Sequence, residues 1–278
     1  MRKRLSTIIL ILVFLVGLSL LLYPTVSDYW NSMRQTYAIA SYAEDVAILN
    51  DDVYEQLWRE AQSYNETLIG GNGPHELTDD ERAEYEAQLN VSESGIIGYI
   101  EVAKINCSLP IYRGTDESVL QIAVGHVEGS SLPVGGESTH CVLSGHRGLP
   151  SAKLFTDLDQ LVEGDTFVLR VLDETLTYEV DQILIVLPYE VEALQIEEGK
   201  DYCTLVTCTP YGINTHRLLV RGHRVENQNE ANVVRVTADA IQVEPVIVAP
   251  LVAVPMLLIL LIVLLATTHR ARDRKDKK

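Results

Sequence analysis

Positive charge is scarce in this chain of 278 residues, where 22 Lys+Arg stand against 39 Asp+Glu for a net charge of −17. Phosphate recognition needs a basic surface, so nucleic acid is excluded as a partner class. Cysteine is limited to Cys107, Cys141, Cys203 and Cys208, with no Cys-x-x-Cys pair, and the seven histidines are scattered without zinc-like spacing. A disulfide-dense miniprotein is thereby excluded, and neither a metal site nor a cofactor is expected. Internal repeats and low-complexity tracts are lacking. Hydrophobic content of 47% and charged content of 22% exclude a fully disordered or collagen-like chain.

The few cations are unevenly placed. Arg2, Lys3 and Arg4 open the chain, and Arg270, Arg272, Arg274, Lys275, Lys277 and Lys278 close it. These tails take 9 of the 22 cations and 2 of the 39 acids, which leaves a body of net charge −24. Between tails and body lie two apolar runs, Leu5–Tyr23 and Val246–Ala266. Each has about the 20 residues that cross a hydrocarbon core. No Ala-x-Ala site precedes Pro24, so the first run reads as an uncleaved anchor rather than a signal peptide. Cations at the outer end of both runs predict a two-pass protein with cytoplasmic termini and an extracellular body.

The body reads in two parts. From Ser27 to Leu68 the chain lacks Gly and Pro, and Val46, Leu49, Val53, Leu57 and Ala61 recur at helical spacing. One or two amphipathic helices are predicted, with Asp51 and Asp52 as a break or cap. Gly70-Gly71-Asn72-Gly73-Pro74 ends that run. Thr78 with Glu81 three residues on has the capping-box pattern of a helix to about Leu89. From Ile96 the period shortens. Runs at 98–102, 141–144, 166–171, 176–180, 183–187, 202–208 and 217–220 are rich in Val, Ile, Leu, Thr and Tyr and alternate with turn residues. That spacing predicts an all-β barrel or sandwich. The predicted domains are a tip and anchor at 1–23, a helical region at 24–94, a β domain at 95–225, a tether at 226–245, a membrane helix at 246–266 and a basic tail at 267–278.

Three residue types in the β region form a kit for acyl transfer. Cys208 ends a strand and precedes Thr209-Pro210-Tyr211-Gly212; His146 stands where a strand meets Gly145 and Gly148; Arg217 opens the run that follows Cys208. A thiolate attacks a carbonyl, an imidazole carries protons, and a guanidinium steadies an oxyanion. Spacing alone does not bring the three together.

Thr204-Leu-Val-Thr-Cys208 matches the Thr-Leu-x-Thr-Cys signature of sortases. The longer runs Thr204–Arg221 and Ser130–Leu158 resemble the class C, pilus-assembling members, as do Gly98–Val102 and Leu109–Thr115. The resemblance covers about 95–224 and implies a mainly-β, eight-stranded sortase barrel with N-terminal helices, flanked by two membrane helices. It implies a membrane-bound transpeptidase with Cys208 as nucleophile, His146 as acid/base and Arg217 as the oxyanion or positioning cation. Its partners would be pilin or surface-protein substrates with a C-terminal Leu-Pro-x-Thr-Gly-like signal, cut between Thr and Gly and joined to a pilin lysine. Thr207 is a further candidate for lining the oxyanion site. Rival readings are a housekeeping-type sortase using a cell-wall precursor amine, a hydrolytic cysteine protease and a silent binding domain. The Asp-Pro-aromatic lid motif of class C sortases is lacking between Tyr64 and Leu89; Gly73-Pro74-His75-Glu76 takes its place as a possible modulator of access. If His146 and Cys208 end neighbouring strands, Cys141 and Cys203 sit level on those strands and face the other way. A bridge between them is geometrically open, and a reduced, packed pair is the default.

Overall fold

A computed structural model describes residues 2–71, 73–92 and 94–227, together with 254, 255, 257 and 262. The predicted second membrane span and basic tail, and the tether beyond Asn227, otherwise lie outside the described residues. The chain divides into two units: 30–233 in one, and 1–29 with 234–278 in the other.

Helix α1 is Arg2–Ala47. Its stretch from Ile8 has a mean hydropathy of 2.6 with none of that window buried, long and apolar enough to cross a membrane. The chain turns at Asn50, whose side chain accepts the Val53 N–H at 2.8 Å and caps α2, Asp51–Thr67. Asp51 and Asp52 therefore occupy the first turn, where carboxylates suit the helix dipole. Along the expected apolar stripe Ala61 is buried and Val46, Leu49 and Leu57 pack on the core, whereas Val53 stays exposed and Tyr54 packs instead. Helix α3, Asp79–Ala87, carries the capping box of Thr78 and Glu81.

The β region is a closed barrel: β1 (Ile96–Val102), β2 (Cys107–Arg113), β3 (Val124–His126), β4 (Thr139–Ser144), β5 (Thr166–Val171), β6 (Glu174–Val186), β7 (Asp201–Thr209) and β8 (His216–Val225). Around the wall the order is β1-β2-β3-β4-β7-β8-β6-β5, and closure leaves no edge strand. The runs expected at 176–180 and 183–187 are one strand, β6. The break between them is a register shift at Val180/Gln182, and Asp181 there is held by Arg221 through bonds of 3.0 and 3.1 Å. The pairing thus continues past a charge that reads in sequence as a strand end.

Helix α3 is fastened to the barrel. Tyr85 is buried, accepts the Gly114 N–H at 3.0 Å and bonds His126 Nδ1 at 2.9 Å. His126 Nε2 in turn donates to Ser131 O at 2.9 Å, so both nitrogens of the buried ring are used. Arg82 meets Glu128 at 2.6 Å, and Arg113 donates twice to Gln88 O. The Gly-rich segment before α3 lies against other loops: a side chain at Gly129 would meet the His75 backbone at 2.7 Å, and Gly73 lies against Gln195. Gly129 neighbours Ser130 and Ser131, which bond Val142 and His140 of β4. That point is four to six residues before His146, roughly 13–20 Å along an extended strand.

Candidate active site

Strands β4 and β7 run parallel, with Cys141 opposite Cys203 and Ser144 opposite Val206. The Gly145 N–H extends this ladder to Val206 O at 3.0 Å, which brings His146 level with Cys208. Strand β8 runs antiparallel to β7 and sets Arg217 directly opposite Cys208. Facing residues of such a pair are about 4.5–5.5 Å apart and project to the same side. Thus the strands bring Cys208 and Arg217 to one face, and His146 to the end of the neighbouring strand.

That face is the outside of the barrel wall. Val206 on β7, Leu219 on β8, Leu184 and Val186 on β6, and Val142 on β4 form a second apolar cluster, walled by Ala193 and Leu194 of the β6–β7 loop. It is separate from the barrel core, which contains Cys141, Leu143, Cys203, Leu205 and Val220. Alternation along each strand produces this division. Cys208 and Arg217 therefore stand at one end of an apolar strip, on the floor side of which the strands are covered by the loop at 192–194.

The His146 loop is held from several sides. Thr207 donates its hydroxyl to Gly145 O at 2.7 Å, and Phe155 N–H donates to His146 O at 3.1 Å. Gly145 lets the Phe155 ring approach, since a Cβ there would lie 2.7 Å from it. The Arg147 guanidinium pairs with Asp159, reaches Thr209 Oγ1 at 3.5 Å and lies over the Tyr211 ring at 5.9 Å. Gly148, at φ +76°, admits Tyr211 from the β7–β8 turn. The loop carrying His146 and the turn following Cys208 are in this way packed as one piece. Thr207 is buried and its hydroxyl is committed to Gly145, so it supports the His146 loop. Arg217 Nη1 donates to Asn214 O and His216 O at 3.3 and 3.1 Å, which braces the guanidinium against its own turn.

The four thiols differ in setting. Cys208 is partly exposed, whereas Cys141 and Cys203 are buried and free. Burial pushes the Cys107 thiol up to about 12 and Cys203 well above the ordinary thiol value. Thiols so raised remain protonated and inert near neutral pH. Among the described residues, no group of three or more His, Cys, Asp or Glu could hold a metal ion.

Comparison with known proteins gives the family and the fold. The Sortase domain family matches residues 100–225. Sortase D of Bacillus subtilis is 30% identical over 190 residues, covering 67% of this chain and 92% of that protein. The chain belongs to the sortase family. It is a cysteine transpeptidase, and its structural neighbours are class C sortases. Sortase C1 of Streptococcus agalactiae shares 52% identity at a TM-score of 0.67, covering 69% of this chain and 100% of that one. A Clostridium perfringens sortase C, solved with the C-terminal cell wall sorting motif, shares 46% identity at a TM-score of 0.61, covering 69% and 100%. The sortase barrel expected from the sequence is thus the observed fold. Sequence reasoning missed the outer apolar strip and the brace around Arg147. The strip's residues read in sequence simply as strand, and Asp159 is remote from Arg147 in a turn of its own.

Proposed function

We propose that this sortase is an extracellular, two-pass pilus transpeptidase in which Cys208, His146 and Arg217 do the chemistry. The observation that carries the assignment is the placement of Cys208 opposite Arg217, level with His146, at the end of an apolar cluster on the outer face of the barrel wall. The Leu-Pro side of a sorting signal suits the partly buried members of that cluster, Val186 and Val206. The Clostridium perfringens structure with its sorting motif supports the same substrate class for this chain.

The Cys208 thiolate attacks the Thr carbonyl of the signal. Arg217 steadies the oxyanion. As the tetrahedral intermediate collapses, the Thr–Gly bond breaks and the glycine amine leaves with a proton from the His146 imidazolium. A pilin lysine amine then attacks the thioester, its proton passes to His146, and the thiolate returns. The apolar N-terminal helix supports one anchor, the apolar run at 246–266 supports a second, and the cations at both tails support cytoplasmic termini.

The test incubates purified ectodomain with a sorting-signal peptide, with and without a pilin lysine donor or a cell-wall precursor amine, and reads the products by mass spectrometry. Amide to the pilin lysine supports the proposal. Amide to the precursor alone supports the housekeeping reading, acid alone a hydrolase, and no turnover a binding domain. Protease shaving of intact cells should spare a tag placed after Lys278, and its loss would overturn the topology.

A further inference from the structure

His146 has a neighbour that the reaction above does not use. After β2 the chain forms the short helix α4, Glu117–Leu120, between Asp116 and β3. Glu117 Oε2 lies 3.9 Å from His146 Nε2. The other oxygen of the same carboxylate accepts a 2.5 Å hydrogen bond from Gln121 Nε2, one turn on. The carboxylate is thereby held with one oxygen bound and the other turned toward the imidazole. The end of α4 is itself fastened, because Gln35 of α1 donates to Ile122 O at 2.7 Å. In the loop that follows His146, the Ser151 O accepts from Asn31 of α1 at 2.7 Å. Two residues one turn apart on α1 thus fix both the α4 end and the loop that carries His146.

We propose that Glu117 is a positioning residue for His146, a carboxylate that holds the Nε2–H side of the ring and presents Nδ1 to the reacting atoms. Which ring nitrogen works is set by the partner of the other one. A carboxylate at Nε2 also meets the imidazolium that forms when the ring carries its proton, as the third member of a hydrolase triad does. The side chains are 28% exposed for His146 and 74% for Glu117, so solvent and salt weaken the pair. Exposed ion pairs carry effects of about two- to fivefold. The inference rests on the reading of His146 as the acid/base.

The test compares the wild-type chain with Glu117→Gln and Gln121→Ala in single-turnover thioester formation on a sorting-signal peptide. Glu117→Gln should lower the acylation rate about two- to fivefold with an unchanged KM for the peptide. Gln121→Ala should lower it less. Raising the salt toward 1 M, where the Debye length is about 3 Å, should slow the wild type toward the variant and leave the variant flat. A changed KM with an unchanged rate would make Glu117 a peptide contact, and equal salt slopes or equal rates would remove the role. A second readout does not depend on turnover. In the Cys208→Ala background, the His146 ring resonances should shift on Glu117→Gln, and coincident resonances would overturn the contact even if the transpeptidase reading stood. Absence of thioester in the wild type with shifted resonances would sink the transpeptidase reading and keep the contact.

Discussion

Two cysteine–histidine neighbourhoods share strands β4 and β7. In one, Cys141 faces Cys203 inside the barrel, Cys141 contacts His126, and His126 is tied to Tyr85 and Ser131. In the other, Cys208 and His146 stand five residues further along the same two strands. An odd offset turns the side chains to opposite faces. The first set is dry, its hydrogen bonds are internally satisfied, and burial holds Cys203 protonated. The second is partly open and has Arg217 across the ladder. The same residue types thus stand in a dry interior or at a partly open strand end according to strand parity, and composition does not separate them.

The largest break in this comparison comes from deleting single thiols. Cys208→Ala should abolish the acyl-enzyme seen by intact-mass measurement and leave the melting temperature nearly unchanged, because a partly exposed sulfur is lost. Cys141→Ala should leave the acyl-enzyme intact. An acyl adduct that persisted without Cys208 would move the nucleophile elsewhere.

Next in size are the partners of Cys208. His146→Ala should slow turnover about 10²–10⁴-fold, the usual contribution of an acid/base group. Arg217→Ala should slow it about 10²–10³-fold, as loss of an oxyanion donor does. His126→Ala, inside the barrel, should leave the rate per folded molecule within about twofold while lowering stability by about 1–3 kcal/mol through the orphaned Tyr85 hydroxyl and Ser131 carbonyl. Steady-state rates corrected for folded fraction decide it, and a large rate loss for His126 would erase the distinction between the two sets.

A smaller effect tests the interior set alone. Cys203→Ser puts a hydroxyl among Cys141, Leu205 and the rest of the core. Burial of a poorly bonded hydroxyl costs about 1–3 kcal/mol. For a domain of this size that is a fall of roughly 3–10 °C in Tm, with acylation by Cys208 unchanged. Non-reducing peptide mapping of the wild type should recover Cys141 and Cys203 as separate alkylated peptides, in keeping with two free thiols; a linked peptide would show an oxidised form.

How far the sequence carried these distinctions depends on range. Local chemistry was legible: the capping box at Thr78–Glu81, the break near Asp51, the strand at 166–171 and the Gly-flanked position of His146 all follow from neighbouring residues. The level placement of Cys141 and Cys203 followed from the offset of five once the strands were taken as neighbours. Long-range placement was not legible. Strand β3 is only Val124–His126 and shows too few residues for a period. The division of β6 at Asp181 was an error because its salt-bridge partner, Arg221, is 40 residues away. Glu117 carries no motif at all; a four-residue helix brings it to His146. In the segment read as a modulator of access, Gly73–Glu76, Gly73 lies against Gln195 and His75 against Gly129, where the two glycines permit close backbone approach.

The smallest expected effect concerns a second buried histidine, on β4. His140 of β4 donates from Nδ1 to Gln195 O at 2.9 Å and accepts at Nε2 from the Thr204 hydroxyl at 2.7 Å. Burial holds its imidazole below the ordinary value of 6.5, and nearby Arg221 pushes it the same way. The unfolded chain therefore takes up the proton before the folded chain does. The stability that the neutral ring contributes is complete above about pH 6.5 and is lost as the pH falls through the depressed folded value. One such group gives a slope of at most about 1.4 kcal/mol per pH unit. Urea titrations at pH 7.5, 6.5, 5.5 and 5.0 should show stability falling across this window. His140→Gln should be less stable at pH 7.5 and have a shallower slope. A variant with the same slope as wild type would show that the ring does not resist protonation.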